Sequence, residues 1–372
     1  MPVVFGIPAY GYRIHTMKKH AIIPIFIPHK GCPNDCVFCN QKKITAHTKA
    51  VTPEDVRATV DQWFTTLSQP KPETLEIAFF GGSFTGIPME EQSAYLAVAK
   101  EYKDKGIIDK IHLSTRPDYI DERILDNLKS FDVDVIELGV QSFDPEVLKL
   151  SGRGHNAACV YESSRLIKDY GFTLGIQLMI GLPGDSMEKC IFSARETVAI
   201  GPAIARLYPT VVIEDTELCA MYERGEYEPL SMNDAVSRTK AMYEILNDAG
   251  INIIRVGLKS SDIIADGNSI SGKTFHPAFR QLVEGEMARD RITSILDRKL
   301  AELPHHENPL MTDIYSSPGW YSNMIGNSGV NRDYFTGNYP GLLIKFKTDE
   351  SLADNAYRIE IKGEKKIWKR NL

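Results

Sequence analysis

The sequence predicts an α/β fold: a partial (β/α)6 TIM-like barrel of parallel strands, followed by a C-terminal α+β extension. Three observations carry that expectation. Short apolar runs alternate with amphipathic segments about every thirty residues, the rhythm of repeated strand–helix units. Polar and glycine-rich clusters fall at the C-terminal end of each run, where a parallel barrel assembles its chemistry. Beyond Ser260 the alternation stops, and a charged helix gives way to Gly-, Asn- and Ser-rich connections.

The first strand is read at AIIPIFIP (21–28), and the helix TPEDVRATVDQWFTTLSQ follows with Thr52 as N-cap and Pro53 in the first turn. TLEIAFFGG (74–82) is the second strand, with a helix from Glu90 to Lys105. KIHLSTRPD (110–118) is the third with DERILDNLKSF as its helix, and VDVIELGVQS (133–142) is the fourth. TLGIQLMIGLPG (173–184), the fifth, follows a helix at Ala157 to Tyr170, and AIARLYPTVVI (203–213), the sixth, follows SMEKCIFSARETVAIG. The helix MNDAVSRTKAMYEILNDAG then leads into INIIRVGL (251–258). The expected division is an N-terminal extension (1–20), a core (21–260) and a C-terminal α+β extension (261–372), the boundary falling near 258–275. The extension shows the helix HPAFRQLVEGEMARDRITSILDRKL and one alternating strand, YRIEIKGEKKIW. Six units are two short of a closed eight-fold barrel, and an open doubly wound sheet is the competing arrangement.

With 372 residues, 43% of them hydrophobic, the chain has material for a large domain and a smaller one, each with a core, which excludes disorder as the default. A formal net charge of −6 gives no global reason to bind nucleic acid, although a local basic patch escapes this test. The N-terminal stretch has no uninterrupted apolar region, and no segment is long enough to span a bilayer, so a cytoplasmic protein without membrane attachment is expected. Met17 opens MKKHAIIPIF directly before the first strand, which reads residues 1–16 as a loose extension or an upstream start.

In a reducing compartment a tight cysteine cluster marks a metal or redox site rather than a disulfide framework. Cys32, Cys36 and Cys39 lie within IPHKGCPNDCVFCNQ, with Pro33 and Asn34 favouring a turn that lets the thiolates converge. Structural zinc needs four closed ligands, and His29 or a distant cysteine would have to complete the set. Three thiolates without a fourth instead indicate a four-iron cluster with one iron open to an exchangeable ligand. Phe38 either shields such a cluster from water or makes ordinary packing contacts in the loop. Cys159, Cys190 and Cys219 are read as buried small hydrophobes.

CxxxCxxC after a first strand, an aromatic before its last cysteine and a GG motif after the second strand resemble the radical S-adenosylmethionine (SAM) superfamily over roughly residues 20–260. STRPD, ELGVQS, GRGH, QLMIGLPGD and HPAFRQLV together resemble the group containing the elongator catalytic subunit, with oxygen-independent coproporphyrinogen oxidase more distant. The resemblance implies a [4Fe-4S] cluster on Cys32, Cys36 and Cys39 that binds SAM and cleaves it reductively to a 5'-deoxyadenosyl radical, which abstracts hydrogen from a substrate. It implies that Gly81, Gly82 and Ser83 approach the SAM amino group and that Gln141 and Arg153 contact SAM, the guanidinium pairing with its carboxylate. Gln177 stands where relatives carry an acidic residue for the ribose, and Gly181 and Pro209 meet the adenine through backbone shape.

Ser114, Thr115, Arg116 and Glu137 are expected at or near the mouth, with Arg116 and Glu137 supporting the site or forming a structural ion pair. His29, His155 and His276 are candidate proton donors. By the same resemblance the substrate is tRNA or, alternatively, a small molecule or tetrapyrrole, and a flavodoxin or ferredoxin supplies electrons. The C-terminal stretch is too short for the elongator subunit's acetyltransferase domain, so acetyl transfer would need a partner. The competing class is a non-catalytic iron-sulfur or zinc protein with a structural three-cysteine cage.

Overall fold

The computed structural model describes residues 20–27, 32, 36–39, 51–66, 72–258, 270–271, 274–304 and 309–364. Residues 1–16, Met17 and His29, each given a sequence expectation above, lie outside the described residues. Strands β1 (His20–Ile27), β2 (Thr74–Gly81), β3 (Lys110–Thr115), β4 (Val135–Gln141), β5 (Thr173–Ile180) and β6 (Ile204–Pro209) follow one another in the sheet. After β6 come the short β7 (Val212–Ile213) and then β8 (Asn252–Val256), which pairs with β6. The result is a curled, all-parallel half-barrel of seven strands ordered β1-β2-β3-β4-β5-β6-β8.

The seventh strand extends the six-unit expectation by one, and the sixth apolar run divides. Pro209 ends β6, the Thr210 N–H donates to the Ile180 carbonyl at 2.8 Å, and Val212–Ile213 turns away to pair antiparallel with β9 (Ile270–Ser271). Periodicity alone reads YPTVVI as one strand because the change of partner leaves the apolar run unbroken.

Helices α1 (Pro53–Thr66), α2 (Met89–Asp104) and α3 (Glu122–Ser130) link the first four strands. Helices α4 (Pro145–Leu150) and α5 (Ala157–Asp169) precede β5, α6 (Met187–Ile200) precedes β6, and α7 (Glu217–Glu223) and α8 (Met232–Asp248) precede β8. All but α2, which starts after Pro88, have their starts written locally by short polar side chains. The Asp55 N–H donates to Thr52 Oγ1 at 3.2 Å while the Thr52 N–H donates to Asp55 Oδ2 at 2.9 Å, a reciprocal cap on α1. Asp121, Asp144, Asn156, Ser186, Thr216 and Ser231 cap α3 to α8, each side chain accepting a backbone N–H of the first turn.

Strand side chains alternate between the faces of the sheet. Leu75, Ile77 and Phe79 on β2, Leu113 on β3 and Ile136 and Leu138 on β4 join Leu96, Leu125, Val160 and Leu246 in one large buried core. Each of these side chains contributes about 1.5–3 kcal/mol by leaving water. The other face lines the concave interior and carries the polar residues described below.

The extension holds α9 (Phe279–Ala301), β10 (Leu310–Ser316), α10 (Tyr321–Ile325), α11 (Val330–Asn338), β11 (Leu342–Thr348) and β12 (Tyr357–Glu364). Its sheet runs β11-β10-β12, with β10 parallel to β11 and antiparallel to β12. Helix α9 joins the two cores, since Phe279, Val283 and Met287 belong to the large one and Ile292 and Leu296 to the small one. Sequence periodicity found β12 and missed β10 and β11. Asp313 sits buried in the middle of β10, accepting from Lys347 on β11 at 2.7 Å and from Lys362 on β12, and this inward charge breaks the apolar run.

Candidate active site

Cys36, Val37, Phe38 and Cys39 form a turn in which the Cys39 N–H donates to the Cys36 carbonyl at 2.9 Å. Two further backbone bonds fasten this turn to the barrel. The Val37 N–H donates to the Ser151 carbonyl at 3.1 Å, and the Leu218 N–H donates to the Val37 carbonyl at 2.7 Å. Val37 and Phe38 pack against a small apolar cluster of Val212, Leu218, Cys219 and Tyr227, so the aromatic before the last cysteine anchors the turn.

Cys32 reaches the end of β2, with its sulfur 3.3 Å from Ser83 Oγ. Cys36 is 5% exposed and accepts from Arg153 Nη1 at 3.2 Å. The second Arg153 nitrogen, Nη2, donates to the Gly139 carbonyl. The structure thus gathers the cysteine turn, the glycine motif after β2 and Arg153 at the C-terminal ends of β2 and β4. Cys190 and Cys219 are buried as expected, whereas Cys159 on α5 is only half-buried, and no disulfide joins any of the six cysteines.

Gly81 has φ +112°, and a Cβ there would lie 2.7 Å from the Ile27 carbonyl oxygen. Only glycine meets both conditions. The Gly82 N–H donates to that same carbonyl at 3.1 Å, drawing the turn against β1. Replacing Gly81 with alanine is expected to cost about 1–3 kcal/mol of stability, read as a lower urea midpoint. An unchanged midpoint would show that the turn relaxes freely.

Gln141 sits at a register shift between β4 and β5 and holds φ +71°, which is strained for a residue with a side chain. Its Oε1 accepts from Gln177 Nε2 at 3.2 Å, so two of the predicted SAM residues meet. At Gly181 (φ +83°) the N–H donates to Asp185 Oδ2 at 2.7 Å, and the carbonyl accepts from the Tyr227 hydroxyl at 2.7 Å. Pro209 is buried at the end of β6. A cavity of about 330 Å³ opens beside Gly181, walled by Leu150, Leu182, Pro183, Tyr227 and Arg238 among others.

Below the mouth runs a continuous polar chain. His20 Nε2 lies 2.9 Å from Glu76, whose other oxygen lies 3.3 Å from His112 Nδ1. His112 Nε2 is 3.7 Å from Glu137 Oε2, and Arg206 Nε is 2.7 Å from that same oxygen. Arg206 Nη1 donates to the Tyr208 hydroxyl at 3.3 Å, and its guanidinium lies 4.7 Å from the centre of the Phe80 ring. Glu137 is therefore half of a buried ion pair.

The sequence reading passed over Glu76, His112, Arg206 and Tyr208. A signal was available: Glu76, His112, Glu137 and Arg206 are each the third residue of their strand, on the same side of four of the apolar runs. The predicted proton donors fare unevenly. Burial, reinforced by the Arg153 charge, holds the His155 pKa down to about 3, so its ring is neutral at ordinary pH. His276 Nδ1 accepts from the Ala278 N–H at 3.0 Å at the start of α9.

At Glu76 burial favours the protonated acid, but the hydrogen bonds and charges of His112 and His20 outweigh it and bring the pKa below 4.5. As pH falls, the unfolded chain therefore takes up this proton first. The stability from Glu76 is complete above the unfolded pKa and is lost as pH falls through the folded one. Glu76→Gln is expected to flatten the loss of melting temperature between about pH 6 and pH 3. Equal slopes in the two proteins would exclude that linkage.

Among the described residues no group of three or more His, Cys, Asp or Glu is arranged to hold a single metal ion. A cubane makes a different demand, since each thiolate binds its own iron and the sulfurs stand apart around the cage. The donor set fits it. Cys36 accepts from the buried Arg153 guanidinium, and Cys32 lies beside Ser83 in the glycine motif at the end of β2.

Residues 26–196 match the model of the radical SAM superfamily, and residues 202–289 match that of the radical SAM C-terminal domain. The tRNA uridine(34) acetyltransferase of Methanocaldococcus infernus is 32% identical over 44% of this chain and 34% of its own length. Human Elongator complex protein 3 is 27% identical over 60% of this chain and 49% of its own. The chain thus spans about half or less of these relatives. The solved archaeal Elp3 of Methanocaldococcus infernus shares the fold, with a TM-score of 0.59 and 23% identity over 74% of this chain and 64% of that one. No helix among the described residues is long and apolar enough to cross a membrane.

Proposed function

Because the chain is a member of the radical SAM superfamily, we propose that it is a radical enzyme in which Cys32, Cys36 and Cys39 hold a [4Fe-4S] cluster and SAM binds beside it. Gly81, Gly82, Ser83, Gln141, Arg153, Gln177, Gly181 and Pro209 form the proposed SAM cradle. The observation that carries the reading is the meeting of Cys32 with Ser83 and of Cys36 with Arg153, which joins three sequence motifs at one rim.

When bound, the cluster and SAM together supply a carbon radical able to abstract hydrogen from a substrate. The chain's own residues bind, orient and exclude water. Gly81 and Gly82 put no side chain on the rim after β2, and at Gly81 that lets the Ile27 carbonyl draw the rim against β1. Gly181 has both its polar backbone groups committed to Asp185 and Tyr227, and so offers an adenine ring only a fixed surface. Gln141 and Gln177 hold each other at the mouth and retain donors for a ribose hydroxyl. Phe80 and the Arg206–Glu137 pair close the interior below, in a setting where charges interact strongly.

We assign tRNA as the substrate class and a flavodoxin or ferredoxin as electron donor. The first assignment is supported by the activity named for the acetyltransferase relatives. Anaerobic reconstitution is expected to load about four irons per chain. Dithionite and SAM should then release 5'-deoxyadenosine. A chain that takes one zinc and cleaves no SAM would replace this reading with a structural cage. Incubation with separate RNA and metabolite pools in deuterated solvent decides the substrate, since label in the metabolite pool alone would overturn tRNA.

A further inference from the structure

The STRPD turn after β3 remains unused by this scheme, yet it presses against the cysteine turn. Arg116 is 2% exposed. Its Nε donates to Asp118 Oδ1 at 2.9 Å and its Nη2 to Asp118 Oδ2 at 2.7 Å, a bidentate clamp, while Nη2 also donates to the Arg153 carbonyl at 2.5 Å. The remaining nitrogen, Nη1, faces Cys36 Sγ at 4.0 Å. That sulfur therefore has two guanidinium groups against it, from the turn after β3 and from the loop before α5.

The two arginines are not equivalent. Arg153 is held by a single backbone carbonyl in addition to the sulfur. Arg116 is locked by a carboxylate and a carbonyl on its far nitrogens, so it has no freedom to turn toward a substrate or cofactor carboxylate. A guanidinium keeps its charge at any working pH. Asp118 engages Nε and Nη2, leaving the Nη1 end of the positive group for the sulfur.

We propose that Arg116, oriented by Asp118, is a positioning residue that sets the electron affinity of the iron-sulfur cluster held through Cys36. The inference rests on the radical SAM reading above. A cluster gains one negative charge on reduction, and a fixed positive group beside a ligating sulfur stabilises that state and raises the potential. The turn thereby decides how strong a one-electron donor the protein requires.

The test uses the full chain, reconstituted anaerobically as wild type, Arg116→Gln, Arg116→Lys and Asp118→Asn, with iron and sulfide measured for each. The midpoint potential is then read by EPR-monitored redox titration without SAM or substrate. Arg116→Gln is expected to shift the reduction equilibrium at least about tenfold toward the oxidised cluster, 59 mV for one electron. Asp118→Asn removes the counter-charge and is expected to shift it the opposite way, with Arg116→Lys lying between wild type and Arg116→Gln. Opposite signs from two halves of one ion pair are not produced by a loosened fold. Equal potentials, or shifts of the same sign, would overturn the proposal. So would an Arg116→Gln protein that keeps its circular dichroism but takes up no iron, because the arginine would then build the turn rather than set the potential. A wild type that loads no cluster would instead sink the family reading itself.

Discussion

Replacing Cys36 with alanine is expected to abolish iron uptake on reconstitution and to lower 5'-deoxyadenosine formation by more than about 100-fold, the upper figure for groups that merely support a ligand. Cys36 is the cysteine buried deepest in the turn and the one faced by Arg153 and Arg116, so its loss removes the sulfur that both buried guanidinium groups face. Cys159→Ala is the control. That thiol lies half-buried on α5, where burial raises its pKa, and its removal leaves iron content unchanged. A Cys36→Ala protein that still binds about four irons would show that the cluster, if present, is held elsewhere.

Replacing Glu137 with alanine is expected to destabilise the fold by about 3–5 kcal/mol, because it strands a buried charge. Arg206 lies 2.7 Å from Glu137, with side-chain exposures of 8% and 2%. Its pKa is raised because the attraction of Glu137 and the Tyr208 contact exceed the opposing effect of burial. The guanidinium cannot shed its proton to escape. The companion experiment replaces both partners, Glu137→Leu with Arg206→Met, and is expected to recover most of the loss, since neither charge then has to be desolvated. Urea unfolding monitored by circular dichroism reads both proteins. A loss below about 1 kcal/mol for Glu137→Ala would place this pair among exposed ion pairs of little worth.

Much of the barrel was legible because its determinants are local. A β2 that alternates Leu75, Ile77 and Phe79 with Glu76, Ala78 and Phe80 has one face for helices and one for the interior wherever its neighbours lie. Caps such as Thr52 with Asp55 act within a single turn. The extension was harder to read, since Asp313 is tolerated inside β10 only because lysines arrive from β11 and β12. The β6–β7 break was invisible for a related reason, as the partner of β7 is supplied by Ile270–Ser271.

The candidate site divides along the same line. Cysteine spacing, the glycines after β2 and the polar ends of the strands are properties of short segments, and they named the chemistry and the rim without any knowledge of contacts. What only tertiary structure decided is which groups face one another across the barrel. Ser83 meets Cys32 from 51 positions away, and Arg153 meets Cys36 from 117. The chain from His20 to Tyr208 draws on β1, β2, β3, β4 and β6. The physical reason is that a charge's worth depends on the neighbours that desolvate and pair it, and those are set by strand order and register rather than by sequence distance.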